Sequence, residues 1–401
     1  MKRAVQASMK APVAPAPCRS RLLVLLLLVV AAPLLSGCYY MQAIAGQGEI
    51  IFSSRPITEV IDQREREMRR LERLTPVAPD SVKLQIPARI ARLRDDVARL
   101  QLIGVARRYA HESLGLVEND NYTVYFETGG RHRYPTFVVT AAKKTKLEPV
   151  LFNFPVVGNL PYKGFFIRKM ALDLERELEA KGYDAGAGPT MAFSTLGWFT
   201  DPVFTPMLSL DEIELPALIF HELLHATAYH PTDSDFNESL ATFFERYGVL
   251  QFLEERHGAD AAILTVARNR FADKDAFSAL VERMRDDLKA LYESDISDEE
   301  KLCQRQDVFV RYQQEYVTGR RTGVFRTSWH DWFPRIRLDN AKVLSLVRYI
   351  AGLDLYESVW NSLGKDFRLT IPVFREAARA ESPRGYLVSW LFKRSKYALP
   401  D

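Results

Sequence analysis

Two histidines four residues apart, with a glutamate directly after the first, are the most chemically pointed feature of this chain: His221-Glu222-Leu223-Leu224-His225. On a helix, side chains four apart share one face, so both imidazoles can reach one metal ion. Glu222 lies about 100° further round and can reach a water on that metal rather than the metal itself. Ile219, Phe220, Leu223 and Leu224 supply the apolar faces that a helix lining a cleft must bury. A third protein ligand is required, because catalytic zinc takes three and keeps one position for water.

Glu238 is the best-placed candidate for that ligand. It stands in Asn237-Glu238-Ser239-Leu240-Ala241-Thr242-Phe243-Phe244-Glu245, the start of a further helical run. His230-Pro231 ends the first helix, since proline disfavours helical geometry in the residue before it. Thr232, Asp233, Ser234 and Asp235 are turn formers. Helix, turn and antiparallel helix therefore return Glu238 to the histidines. Glu245 follows two turns along the same face, placed to hold a ligand imidazole by its other nitrogen. Competing readings make Glu238 a capping-box acid paired with Asp235 and Glu245 a surface acid beside Arg246. A metzincin needs Gly at 228 and His at 231, where Ala228 and Pro231 stand. His230 reads as a polar turn residue.

The elements that must position these residues are legible in outline. Ile61, Met68, Leu71 and Leu74 fall roughly at helical spacing in an Arg/Glu-rich stretch, which Pro76, Pro79 and Asp80 break. Ile90, Leu93, Val97, Leu100 and Val105 stripe a second helix ending near Gly115. Tyr122–Glu127, Phe137–Ala141 and Val150–Phe154 read as strands of a small sheet, with Met191–Phe199 as strand or loop. Phe165–Lys181 reads as a helix stopped by Gly182. Beyond Ser209 the pattern is helical, including a Ser297/Glu300 capping box opening a helix that stops near Gly319. A small sheet followed by a mostly helical half is α+β architecture.

Composition narrows the partners. The 401 residues carry a formal charge of +3. Lys2, Arg3, Lys10, Arg19 and Arg21 contribute five positive charges with no acid before residue 38, so the remainder sums to 3 − 5 = −2. Such a chain has no general attraction for nucleic acid or acidic membrane, and any basic patch is local. Leu22 to Leu35 is a nearly unbroken apolar run, shorter than the ~20 residues of a membrane span. It closes on Leu35-Ser36-Gly37-Cys38, which resembles the lipobox of bacterial lipoproteins. That resemblance implies cleavage before Cys38, a lipid on its thiol and, with Tyr39 following, an outer-membrane anchor facing the periplasm. Cys303, the remaining cysteine once Cys18 leaves with the leader, reads as a small buried side chain. His111, His132, His257 and His330 read as solvent-facing.

The expected organisation is a signal peptide over 1–37, a tether over 38–60, a helical region over 61–118 and an α+β peptidase domain over 119–401. The His-Glu-x-x-His helix with a glutamate on the next helix resembles the gluzincins, and Asn237-Glu238-x-x-Ala241-x-x-x-Glu245 is similar to the second motif of zinc aminopeptidases. Only 12 residues separate His225 from Glu238, against a longer spacer in most members. Val156-Val157-Gly158 with Pro161-Tyr162, Ser194–Phe199 and His221–Glu245 resemble a bacterial aminopeptidase family over about residues 120–360. These resemblances imply Zn2+ on His221, His225 and Glu238, Glu222 as general base, a peptide substrate, and Tyr349 as the oxyanion donor. Asp201 is a candidate partner for a substrate ammonium group, and Ser194–Trp198 for an edge strand that pairs with an extended peptide. A zinc endopeptidase acting on envelope proteins, or a structural lipoprotein with a vestigial site, stands as the alternative.

Overall fold

The structure, a computed structural model, describes residues 38–130, 133–154, 158–191, 199–347 and 352–397. The chain falls into two units, Met1–Phe52 and Ser53–Asp401. The described part of the first is helix α1 (Cys38–Ser53). Residues read as a tether are thus helical, since Met41, Gln42 and Ala43 are helix formers that outweigh Gly46 and Gly48. No helix among the described residues is long and apolar enough to cross a membrane.

The second unit opens with strand β1 (Arg55–Pro56), helix α2 (Ile57–Leu74), a single turn α3 (Asp80–Lys83) and the long α4 (Ile86–Glu112). Ion pairs Arg64–Asp96 and Arg89–Glu67, each 2.8 Å, fasten α2 and α4 as an antiparallel hairpin. The buried stripe of α4 is Leu93, Val97, Leu100, Ile103, Ala106 and Ala110. Val105 is 36% exposed instead, because spacings of three and four from Leu100 reach 103, not 105.

Strands β2 (Val124–Phe126), β3 (Thr136–Ala142), β4 (Phe152–Phe154), β5 (Gly158–Leu160) and β6 (Lys163–Phe165) come next. Helix α5 (Arg168–Ala180), β7 (Asp184–Thr190) and β8 (Val203–Phe204) complete this region. They form three small sheets. In β1-β2-β8 the first pair is antiparallel and the second parallel, β6-β3-β7 is antiparallel throughout, and β4–β5 is a hairpin. Among the described strands β7 is an edge, and α5 packs over β3 and β7.

Helices α6 (Glu214–Thr227), α7 (Ser234–His257), α8 (Ala262–Glu293), α9 (Asp298–Thr322) and α10 (Asn340–Val347) begin the helical half. Helices α11 (Asp354–Ser362), α12 (Phe367–Ala377) and α13 (Pro383–Tyr397) finish it, so the architecture is α+β and mainly helical. The Ser297/Glu300 capping box opens α9, with reciprocal bonds of 3.2 and 3.0 Å. The helix runs past Gly319 to Gly323, whose φ of 83° supplies the left-handed stop. Gly319 serves close approach instead, since a Cβ there would meet the Phe325 ring at 2.8 Å.

Two further expectations are corrected. Cys303 is exposed, because Arg305 and Phe309 take the inward face of α9. His330 is buried and stacks on Phe277 at 4.1 Å, and burial lowers its pKa to about 4. His111 contacts the Leu116 carbonyl at 3.1 Å and His257 pairs with Glu212 at 2.9 Å, while His132 lies outside the described residues.

A buried polar network ties the sheet to the helices. Arg305 on α9 donates to both Asp184 oxygens at the start of β7, at 2.7 and 3.2 Å. The Asn340 amide N–H donates to Asp184 at 3.0 Å, and its side chain to the carbonyls of Lys143 and Lys144. Asp184→Ala leaves the Arg305 charge buried and unpaired, so urea unfolding should show a loss of about 3–5 kcal/mol. Adding Arg305→Met should recover part of that loss. No loss in the single variant contradicts this account.

Candidate metal centre

Helix α6 is held by what it buries. Leu215, Ile219, Phe220, Leu223 and Leu224 are fully buried, each contributing about 1.5–3 kcal/mol. Asp211 accepts from the Ile213 and Glu214 amides at 2.9 Å each, satisfying donors of the first turn. The helix ends at Thr227, with Ala228 extended, before the expected break at His230-Pro231. Asn237 explains the early stop: its side chain accepts from His230 N and donates to His230 O, both at 2.8 Å. The loop backbone bonds to that amide instead of continuing the helix, and the His230 ring faces Thr232.

Helix α7 starts at Asp233, which caps it by accepting from Phe236 N at 2.9 Å. Gly248 lets α7 lie close to its neighbours, since a Cβ there would stand 2.9 Å from Leu114 and 3.2 Å from Phe220.

That approach brings the charged residues together. Glu238 lies 3.4 Å from His221 Nε2 and 3.7 Å from His225 Nε2, and one donor atom from each of the three lies within 4.8 Å of the others. Ligands about 2.0–2.2 Å from a tetrahedral ion stand roughly 3.3–3.6 Å apart. Two imidazoles and a carboxylate at these separations can accept a divalent cation with modest adjustment. His221 turns Nδ1 toward Glu245 Oε2 at 3.5 Å, and Glu245 Oε1 accepts from Lys274 on α8 at 2.9 Å. His225 Nδ1 is buried with no hydrogen-bond partner, and the ring packs edge-on against His221 and Tyr229.

Electrostatics separates the two imidazoles in the metal-free protein. Burial opposes charge on His221, yet Glu238 and Glu245 overcome it and raise its pKa to about 10. Burial and the charged His221 lower His225 to about 4. Burial also raises Glu222 to about 7, with His221 opposing and Glu238 and Asp201 assisting. For Glu245 burial acts upward, but Lys274 and His221 prevail and hold it near 2.

A cavity of about 530 Å³ opens beside Glu238. Residues 185–190 of β7 line it, with Tyr162, Ser234, Glu175 on α5, and Arg337 and Lys342 across it. Glu175 accepts from Ala187 N at 3.1 Å.

Other anticipated residues fall elsewhere. Asp201 is 1% exposed and bonded to Asn121 through side chain and amide, so it braces a loop. Tyr349 and Ser194–Trp198 lie outside the described residues. Sequence reasoning passed over Lys274, Glu175, Tyr229 and Tyr122. Tyr229 alone left a trace, standing four residues after His225. Tyr122 is fully buried at φ 60°, its hydroxyl unpartnered and facing the charges of Glu222 and Asp201.

Metal-free protein at pH 7 should therefore hold a charged His221 beside a neutral His225, as read by imidazole nitrogen shifts. The His221 pairing stabilises fully below the unfolded value near 6.5, and that contribution fades as pH rises through about 10. Glu245→Gln should shift the His221 titration downward. Two neutral imidazoles at pH 7 contradict this picture.

Among curated proteins and among solved structures, none matches the chain. Residues 84–384 match the model of one protein family, described as "Putative aminopeptidase". That span holds α6, α7, the strand β7 and the cavity beside Glu238. Covering well over half of its length, the match places this chain in that aminopeptidase family.

Proposed function

We propose that the chain is a zinc-dependent peptide hydrolase of gluzincin type, an aminopeptidase, with zinc on His221, His225 and Glu238. The convergence of these three donors beside an edge-strand cleft carries the reading. Zinc, when bound, polarises a carbonyl oxygen and acidifies water. Two imidazoles and one carboxylate suit that ion better than a harder cation.

The chain's own residues supply the rest. Glu222 takes the proton of the attacking water and delivers it to the departing amine, and its burial, which raises it to about 7 in the metal-free protein, favours holding that proton in between. Glu245, anchored by Lys274, fixes the His221 ring and its tautomer. A hydroxyl must answer the developing oxyanion. Tyr349 holds that role by resemblance, and Tyr229, whose hydroxyl feels the charge of Glu238, is placed to share it.

The edge of β7 suits an extended peptide, which can add as a further strand. Ala185, Gly186, Ala187 and Gly188 are small enough to leave the cleft open. A free α-ammonium entering it needs a carboxylate, since its charge is otherwise desolvated unpaired. Asp201 is committed to its loop, whereas Glu175 borders the cleft and forms no ion pair among the described residues. Glu175 takes that role in this reading, releasing Ala187 N–H to the peptide backbone.

In the cell, the reading places a lipid on Cys38 and the enzyme at the outer membrane facing the periplasm. Cys38→Ser should abolish fatty-acid labelling, and labelling that persists excludes the anchor.

Purified protein should cleave a free-amine peptide and lose nearly all turnover on the acetylated one. Comparable rates with internal cuts make it an endopeptidase. Glu222→Gln should keep its zinc and lose about 10²–10⁴-fold in rate, whereas Glu238→Ala should bind zinc more weakly and hold less of it at equal zinc concentration. Equal zinc occupancy in Glu238→Ala removes that residue from the ligand set.

A further inference from the structure

The distal end of the α2–α4 hairpin carries a surface that the proposed catalysis does not use. Leu74, Val77, Val82 and Leu84 are 42%, 78%, 47% and 83% exposed within eleven residues, and α3 between them buries nothing. An isolated exposed aliphatic needs no explanation, but four on one helical turn and its flanks do. The proline pair Pro76 and Pro79 limits the conformations of this tip.

Charge is concentrated at the same end. Residues 66–94 contain eight basic and three acidic residues, although residues 38–401 as a whole carry two more acids than bases. Arg89 spends its charge on Glu67, but Arg70 and Arg73, in the last turns of α2, are exposed and form no ion pair among the described residues. An apolar tip below a collar of arginines matches a bilayer surface, where side chains enter the headgroup boundary and guanidiniums meet phosphates. A protein partner fits less well. Four aliphatics on one turn and its flanks offer far less area than a stable interface requires.

We propose that this hairpin tip docks on an anionic lipid surface, independently of any lipid on Cys38. Leu74, Val77, Val82 and Leu84 enter the headgroup region while Arg70 and Arg73 pair with phosphates.

Hydrogen exchange of residues 75–85 in the full chain reads the docking locally, whatever else holds the protein to the membrane. Phosphatidylglycerol–phosphatidylethanolamine vesicles should slow exchange there, and phosphatidylcholine vesicles should not. Arg70→Gln with Arg73→Gln should raise the half-protecting lipid concentration roughly thirtyfold, taking about 1 kcal/mol for each charge. Val77→Ser with Leu84→Ser should abolish protection while circular dichroism stays unchanged. Unaltered exchange on anionic vesicles overturns the proposal, as does equal protection on neutral ones. Protection that grows with protein concentration without lipid assigns the tip to a second copy and overturns it too.

Discussion

Helices α6 and α7 meet through leucine and phenylalanine, yet between them they must hold two imidazoles and three carboxylates largely out of water. That contradiction governs the site. A buried charge without a partner costs several kcal/mol, so an ionised acid needs a cation; Glu238 and Glu245 have theirs, whereas burial pushes Glu222 up to about 7. Glu238 faces both imidazoles, and Glu245 is shared between His221 and Lys274. In the metal-free protein a proton on His221 supplies the positive charge that keeps the two glutamates together. In the proposed function, a divalent cation at the meeting point of the three donors would perform the same service with more charge.

The rest of the fold holds the cleft in register with that centre. Asp184, at the start of β7, is locked by Arg305 and Asn340, and Thr136 and Thr190 bond hydroxyl to hydroxyl at the other end of the β3–β7 ladder. The edge strand is thereby pinned at both ends, with its small residues facing the cavity. Helix α4 supports α6 from its far side, with Tyr109 against Phe220, while the basic, apolar tip of the α2–α4 hairpin is the surface proposed to dock on lipid.

What the sequence revealed depended on distance along the chain. The His221–His225 spacing is a property of one helix, and Glu238 follows from the turn formers between two helices, so both could be read locally. Asn237, noticed as part of a motif, has a role that only the folded loop displays, since its amide closes the backbone of His230. Lys274 and Glu175 reach the site from separate elements, and no periodicity links them to it. Gly319 and Gly323 show the same limit on a smaller scale. Either glycine can end a helix, and the return of Phe325 over Gly319 decides between them. His330 looked polar and exposed because its stacking partner Phe277 lies on another helix.

The central claim is the ligand set, and X-ray absorption at the zinc edge tests it most directly. Protein loaded with one equivalent of zinc should show two imidazole nitrogens with oxygen-only ligands in the remaining positions, at about 2.0–2.2 Å. Glu238→Ala should change the oxygen shell and leave the imidazole signal in place. Sulfur ligation, a third imidazole, or a first shell unaltered by Glu238→Ala contradicts the account.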